Sequence, residues 1–209
     1  MKFHEAVVSS AAFRVRIALA LKGLPYESAL YDLRKNQHLT PEYRKVNPMR
    51  SVPALEVDGA TLFESMAIVE YLEETHPEPP LLPRGAVDRA RVRAMAQLVA
   101  CDIHPLNNLR VLRYLSHELK ADDAAREKWY AHWVQEGFAA LELVVSERGP
   151  FCSGDAVTMA DVFLVPQMAN ALRYKVDVAA FPRVRRVYEA CMKLPAFAKS
   201  HPDNRAAIG

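Results

Sequence analysis

Three groups of residues in this sequence have the types and spacing to do chemistry. Ser9-Ser10 follow a short run, residues 3–8, that ends in β-branched residues and reads as a strand. They precede residues 11–22, a stretch of good helix formers closed by Gly23. A strand end, two hydroxyls and a helix N-terminus converge there, although either serine could serve only as a helix cap. Val52-Pro53 opens a second strand-like run. Proline is tolerated at the mouth of a strand, and it pushes the preceding residue into an extended conformation. With a cis bond, Val52 turns its N–H and C=O outward, an edge that can pair with a short extended peptide. Glu64-Ser65 then begin a helix whose free N–H groups can hold a carboxylate. Both residue types are also ordinary in a first turn. Finally, His104 and Asn108 are four apart, so on a helix they share a face, with Arg110 close behind. A kinked helix with a satisfied histidine is the plainer alternative.

These residues need a scaffold. Leu24-Pro25 is a turn and residues 26–33 read as a second strand, so the chain opens βαβ, which favours a parallel pair with a right-handed crossover. Residues 34–46 are polar, with Thr40-Pro41-Glu42 a helix start. Asp58-Gly59 is a hairpin signal between two apolar runs. The order is then βαβαββα, the thioredoxin-like order. Pro77, Pro79, Pro80 and Pro83 mark a domain linker, since no helix continues through them. Beyond it the pattern is helical throughout. Residues 88–119 read as one long segment kinked at Pro105, and residues 122–147 as a second carrying Trp129 and Trp133. Thr158 and Asp161 form a capping box for an apolar helix through Leu172, so Asp161 is read as structural. Further helices follow Phe181-Pro182 and Leu194-Pro195, and the tail after Pro202 reads as loose. The expected architecture is α/β plus all-α, with domains at residues 1–80 and 86–209.

Composition narrows the class. The chain has 209 residues, is 51% hydrophobic and carries a net charge of +2 with scattered arginines, which argues against a nucleic-acid partner. No apolar stretch approaches the ~20 residues that span a bilayer, and the N-terminus lacks a signal core. The expectation is therefore a cytoplasmic chain with no membrane association. Cys101, Cys152 and Cys191 are odd in number and in no metal spacing, so reduced thiols and no metal are expected.

The pattern resembles the glutathione transferases over nearly the whole chain. The carrying motifs are Val52-Pro53 followed by Glu64-Ser65, Ser9-Ser10 followed by Arg14-Val15-Arg16-Ile17-Ala18-Leu19, Asn47-Pro48-Met49, and Asp102-Ile103-His104-Pro105-Leu106-Asn107-Asn108-Leu109-Arg110. They resemble the zeta class, which includes maleylacetoacetate and maleylpyruvate isomerases. The resemblance implies a thioredoxin-like domain joined to a helical bundle, glutathione as cofactor and a homodimer. It also implies cis–trans isomerisation of a small dicarboxylate in the breakdown of aromatic compounds. It assigns the thiolate to Ser9, with Ser10 beside it. Val52, Pro53, Glu64, Ser65, Gln37 and His38 are assigned to glutathione, His104 and Asn108 to glutathione or substrate, and Arg110 and Arg173 to substrate carboxylates. A free thiol, with a pKa near ~8.5, must fall by about two units to be mostly thiolate at neutral pH, and that takes about 2.7 kcal/mol. One charge-assisted hydrogen bond plus a helix end can supply it. The chain departs from the class at two positions. Zeta members usually carry Ser-Ser-Cys preceded by arginine, and here Ala11 and Val8 stand at those places. Any isomerase chemistry must run without that thiol and that guanidinium. Two other readings stay open: a conjugating transferase with Val8, Ala11, Ala12 and Phe13 as an apolar rim, and a non-catalytic binding protein on the same scaffold.

Overall fold

The computed structural model describes residues 1–205 and forms two compact units: residues 1–81 together with the segment from Met192, and residues 82–191. The first unit is built on strands β1 (Lys2–Glu5), β2 (Glu27–Leu30), β3 (Ala54–Val57) and β4 (Ala60–Phe63). The sheet order is β2-β1-β3-β4, parallel between β1 and β2 and antiparallel elsewhere, with His4 opposite Ala54. The helices are α1 (Ser10–Leu21), α2 (Pro41–Val46) and α3 (Ser65–Thr75). The order is the expected thioredoxin-like βαβαββα. The β3–β4 hairpin turns at Asp58 (φ 52°) and Gly59 (φ 76°), both left-handed as a type I′ turn requires.

The first two strands are shorter than the sequence suggests. β1 stops at Glu5, and residues 6–9 become a turn closed by the Ser9 N–H donating to the Ala6 carbonyl at 3.0 Å. The β-branched Val7 and Val8 favour a strand, but the chain there must reverse into α1.

α1 is buried almost all round, including Arg14 and Arg16. It packs against α3 and against α9 (Pro195–Ser200), which belongs to the first unit. The sequence reading placed all of residues 86–209 in one helical domain. In the structure, residues 192–205 instead return to the N-terminal unit, with Phe197 fully buried. Phe3, Val15, Leu19, Leu55, Ile68 and Leu72 make the core, each contributing about 1.5–3 kcal/mol by its burial.

The second unit is helical: α4 (Ala86–Gln97), α5 (Leu109–His117), α6 (Asp123–Val144), α7 (Met159–Arg173) and α8 (Pro182–Cys191). The segment read as one kinked helix is broken more deeply. A π-helical stretch, Leu98–Ile103, follows α4 without a gap, and a 3₁₀ turn, Pro105–Asn107, separates it from α5. α6 crosses the π segment at Gly137, where a Cβ would lie 2.2 Å from the Ile103 side chain, so only glycine admits this approach. No helix among the described residues is long and apolar enough to cross a membrane.

Candidate functional site

Ser9 caps α1. Its backbone is extended (φ −76°, ψ 119°) and its Oγ accepts from the Ala12 N–H at 3.2 Å. The hydroxyl proton remains available for donation. Ser9 is half-buried, whereas Ser10 is 5% exposed and turned into the fold. Of the two serines, Ser9 therefore stands at the open end of the helix. Val8 beside it is 51% exposed. The expected apolar rim is reduced to that one side chain, because Ala11, Ala12 and Phe13 are buried.

The Val52–Pro53 bond is cis. No hydrogen bond joins the Val52 N–H or C=O to another described residue. The preceding carbonyl, by contrast, is held twice: Ser51 C=O accepts from the Tyr43 hydroxyl at 2.8 Å and from Asn47 Nδ2 at 2.7 Å. Asn47 Oδ1 in turn accepts from the Met49 N–H at 2.9 Å. Asn47 and Tyr43 are buried, and burial raises the Tyr43 phenol well above its usual range, so it stays a donor. The Asn47-Pro48-Met49 motif thus anchors the peptide that presents Val52.

Glu64 precedes α3 with φ 68° and ψ 120°, a sparsely populated positive-φ conformation that costs an L-residue about 1–3 kcal/mol. It is exposed, and Ser65 behind it is buried as the first residue of α3. Ser65 Oγ accepts from Arg14 Nη1 at 3.1 Å, inside the fold. One helix, α1, therefore carries Ser9 at its tip and, further along, the guanidinium that braces Ser65. Gln37 and His38 lie together on a 3₁₀ turn (Gln37–Leu39) but face different surroundings. Gln37 is exposed, with Oε1 accepting from the Asp32 N–H at 2.7 Å, while His38 is buried rather than on a solvated loop.

The remaining candidates are in the second unit. His104 ends the π segment, and Asn108 Nδ2 lies 3.3 Å from His104 Nε2. Asn108 also caps α5, its Oδ1 accepting from the Arg110 N–H at 3.1 Å. Arg110 is exposed. Arg173, at the end of α7, is exposed and within electrostatic reach of the Tyr130 phenol, whose ring stacks on Tyr174 at 4.2 Å. Asn107 Nδ2 donates to the Tyr130 carbonyl at 3.2 Å. Tyr130 is thus a common neighbour of the His104–Asn108 segment and of Arg173.

Asp161 is a structural residue. Fully buried, it accepts from the N–H groups of Cys152 and Thr158, both at 2.7 Å, and from Thr158 Oγ1 at 2.9 Å. Burial lifts the thiols of Cys152 and Cys191 above their usual range, with the Asp161 charge adding to it, so neither is a nucleophile. Sequence reasoning missed Arg14 and Arg16. Two arginines inside an otherwise apolar helix, with no acid within a turn to pair them, was the signal available.

Known proteins share this fold. The family model for the glutathione S-transferase N-terminal domain matches residues 8–75, and that for the C-terminal domain matches residues 127–190. A maleylpyruvate isomerase of Ralstonia sp is 44% identical over 205 residues, covering 97% of this chain and 97% of its own length. The holo structure of a maleylpyruvate isomerase, described as a bacterial glutathione S-transferase of the zeta class, gives a TM-score of 0.96 at 43% identity and covers 98% of both chains. A maleylacetoacetate isomerase of Methylobacterium extorquens AM1, with bound malonate and glutathione, gives 0.94 at 39% identity over 99% of this chain and 98% of its own. The chain belongs to the glutathione S-transferase family, and within it to the zeta class of the maleylacetoacetate and maleylpyruvate isomerases.

Proposed function

We propose that this chain is a glutathione-dependent cis–trans isomerase of maleylacetoacetate or maleylpyruvate. The observation that carries the reading is Val52, whose N–H and C=O have no partner among the described residues, while the Ser51 carbonyl just before it is held by Tyr43 and Asn47. That edge fits the backbone of a tripeptide. Bound glutathione supplies a thiolate that adds reversibly to the conjugated double bond, so that the bond can rotate before the thiol is returned unchanged.

The chain's own residues do the rest. Ser9 donates its hydroxyl proton toward the sulfur, at the positive end of α1. Val52 pairs with the cysteinyl backbone. Ser65 and the first N–H groups of α3 hold the γ-glutamyl carboxylate, with Glu64 beside them and Arg14 steadying the Ser65 hydroxyl. Gln37 and His38 lie toward the glycyl end. Arg110 and Arg173 take the substrate carboxylates, whose geometry the guanidinium fork matches, and Asn108 holds His104. The malonate and glutathione bound together in the Methylobacterium structure support a dicarboxylate beside the tripeptide. The same reading carries a second copy of the chain as partner and a reducing, cytoplasmic compartment, with which the free thiols Cys101, Cys152 and Cys191 accord. Incubation of the purified protein with maleylacetone and glutathione tests it: conversion to the trans isomer with no consumption of glutathione is expected, and unchanged maleylacetone would overturn it.

A second reading rests on Val8 and Ala11. With an exposed valine next to Ser9 and no thiol at position 11, the mouth of the site suits a small apolar electrophile. The chain would then conjugate glutathione to a halide or epoxide, and a product heavier by the glutathionyl group would separate the two reactions.

A further inference from the structure

Arg16 lies seven residues beyond Ser9 on α1, close to two turns, so both stand on one side of the helix. Helical side chains lean toward the N-terminus, and the Arg16 guanidinium accordingly reaches back beneath the turn that carries Ser9. There it donates to the Val7 carbonyl at 3.0 Å from Nη2 and to the Ala6 carbonyl at 3.4 Å from Nη1. The Ala6 carbonyl also receives the Ser9 N–H, at 3.0 Å. Arg16 is itself fixed from two directions. Nη1 pairs with Glu5 at 2.6 Å and Nε donates to the Ser200 carbonyl of α9 at 3.1 Å. Glu5 is further held by the Ser28 hydroxyl at 2.6 Å and by Arg205 at 3.0 Å, and Arg205 in turn donates to the Tyr26 hydroxyl at 3.1 Å. Arg16 is 1% exposed and Glu5 0%.

A buried ion pair is weak evidence for added stability, because desolvation offsets much of its attraction. This one spends its remaining donors on two backbone carbonyls of a four-residue turn. We propose that Arg16 is a positioning residue for the Ser9 hydroxyl, holding the turn at residues 6–9 from beneath while Glu5 and the returning C-terminal segment hold Arg16. The proposal rests on the glutathione reading above. Its consequence is that the bound thiol loses its proton to solvent more readily when Arg16 is in place, with no bond formed to the protein.

The test is a pH titration of glutathione thiolate absorbance on the full chain, in wild type, Arg16→Lys and Arg16→Met. Alongside it runs calorimetric binding of S-methylglutathione, which has no thiol proton. Lysine keeps the charge and loses the fork that spans Glu5, Val7 and Ser200. Both variants are expected to raise the bound thiol pKa by about one unit, a roughly tenfold smaller ratio of thiolate to thiol at any given pH. Affinity for S-methylglutathione should stay within about twofold, since a group without a thiol proton does not sense that shift. An unchanged thiol pKa in either folded variant would overturn the proposal. So would equal weakening of both ligands, or failure of both variants to fold, each of which makes Arg16 a residue of stability alone. Absence of a bound thiolate in wild type would instead remove the glutathione reading, and this proposal with it.

Discussion

Two helix starts in this molecule use the same capping chemistry to opposite ends. At α7 the cap is closed: Asp161 is fully buried, and its oxygens are taken up by two N–H groups and a hydroxyl at 2.7–2.9 Å. At α1 the cap is open: Ser9 uses one lone pair on the Ala12 N–H at 3.2 Å, stays half-buried, and keeps a proton to give. A saturated cap has nothing left for a ligand and acts only on folding. An unsaturated cap gives up some of that stabilisation and keeps a donor at the positive end of a helix.

The sharpest way to break the comparison is Asp161→Ala. It leaves the buried N–H groups of Cys152 and Thr158 without their acceptor, and each such loss costs about 1–3 kcal/mol. Urea unfolding should show roughly 2–6 kcal/mol of destabilisation, with the folded fraction still binding glutathione normally. A loss of affinity without a loss of stability would move Asp161 into the site. Ser9→Ala should act the other way round. Stability falls by about 1 kcal/mol, as for an ordinary cap. The acid limb of the pH–rate profile moves up by about one to two units, since each unit is 1.36 kcal/mol of thiolate stabilisation.

Ser65→Ala is expected to weaken glutathione binding about tenfold, the value of one charge-assisted hydrogen bond near 1.4 kcal/mol. Calorimetry would read the loss, and an affinity unchanged in this variant would remove the carboxylate site from α3. Gln37→Ala should have the smallest effect. Its side chain closes an exposed turn on Asp32, so stability should hold to within about 0.5 kcal/mol. Glutathione affinity should then report directly whether Gln37 touches the ligand.

Much of this was legible in the sequence because it is local. The βαβαββα order, the Asp58-Gly59 hairpin and the Thr158–Asp161 capping box each depend on residues within a few positions of one another. The peptide edge at Val52 and the open cap at Ser9 were also legible as possibilities. The π stretch was not, because Leu98–Ile103 has no breaker residue and its register is settled by the close crossing at Gly137. Val7 and Val8 read as strand from their branching, yet a turn wins there because Arg16 and Ser9 engage the Ala6 and Val7 carbonyls. The apolar rim failed for the same kind of reason. Residues 11–13 are small or apolar, and only the packing around α1 shows that they are core.

The sequence by itself determined the βαβαββα order of the first unit and the helical character of the second, which family the chain belongs to, and which serines and arginines could act. Periodicity, caps and turn residues operate within one or two turns of chain, so the linear order contains them. Only the tertiary structure buried Ser10 while leaving Ser9 half-buried, turned Ser65 toward Arg14, and brought residues 192–205 back onto the first unit. Those outcomes depend on contacts between residues up to 184 positions apart, as between Arg16 and Ser200. Burial of a guanidinium is possible only where distant carbonyls and a carboxylate meet it, and no local pattern encodes that meeting.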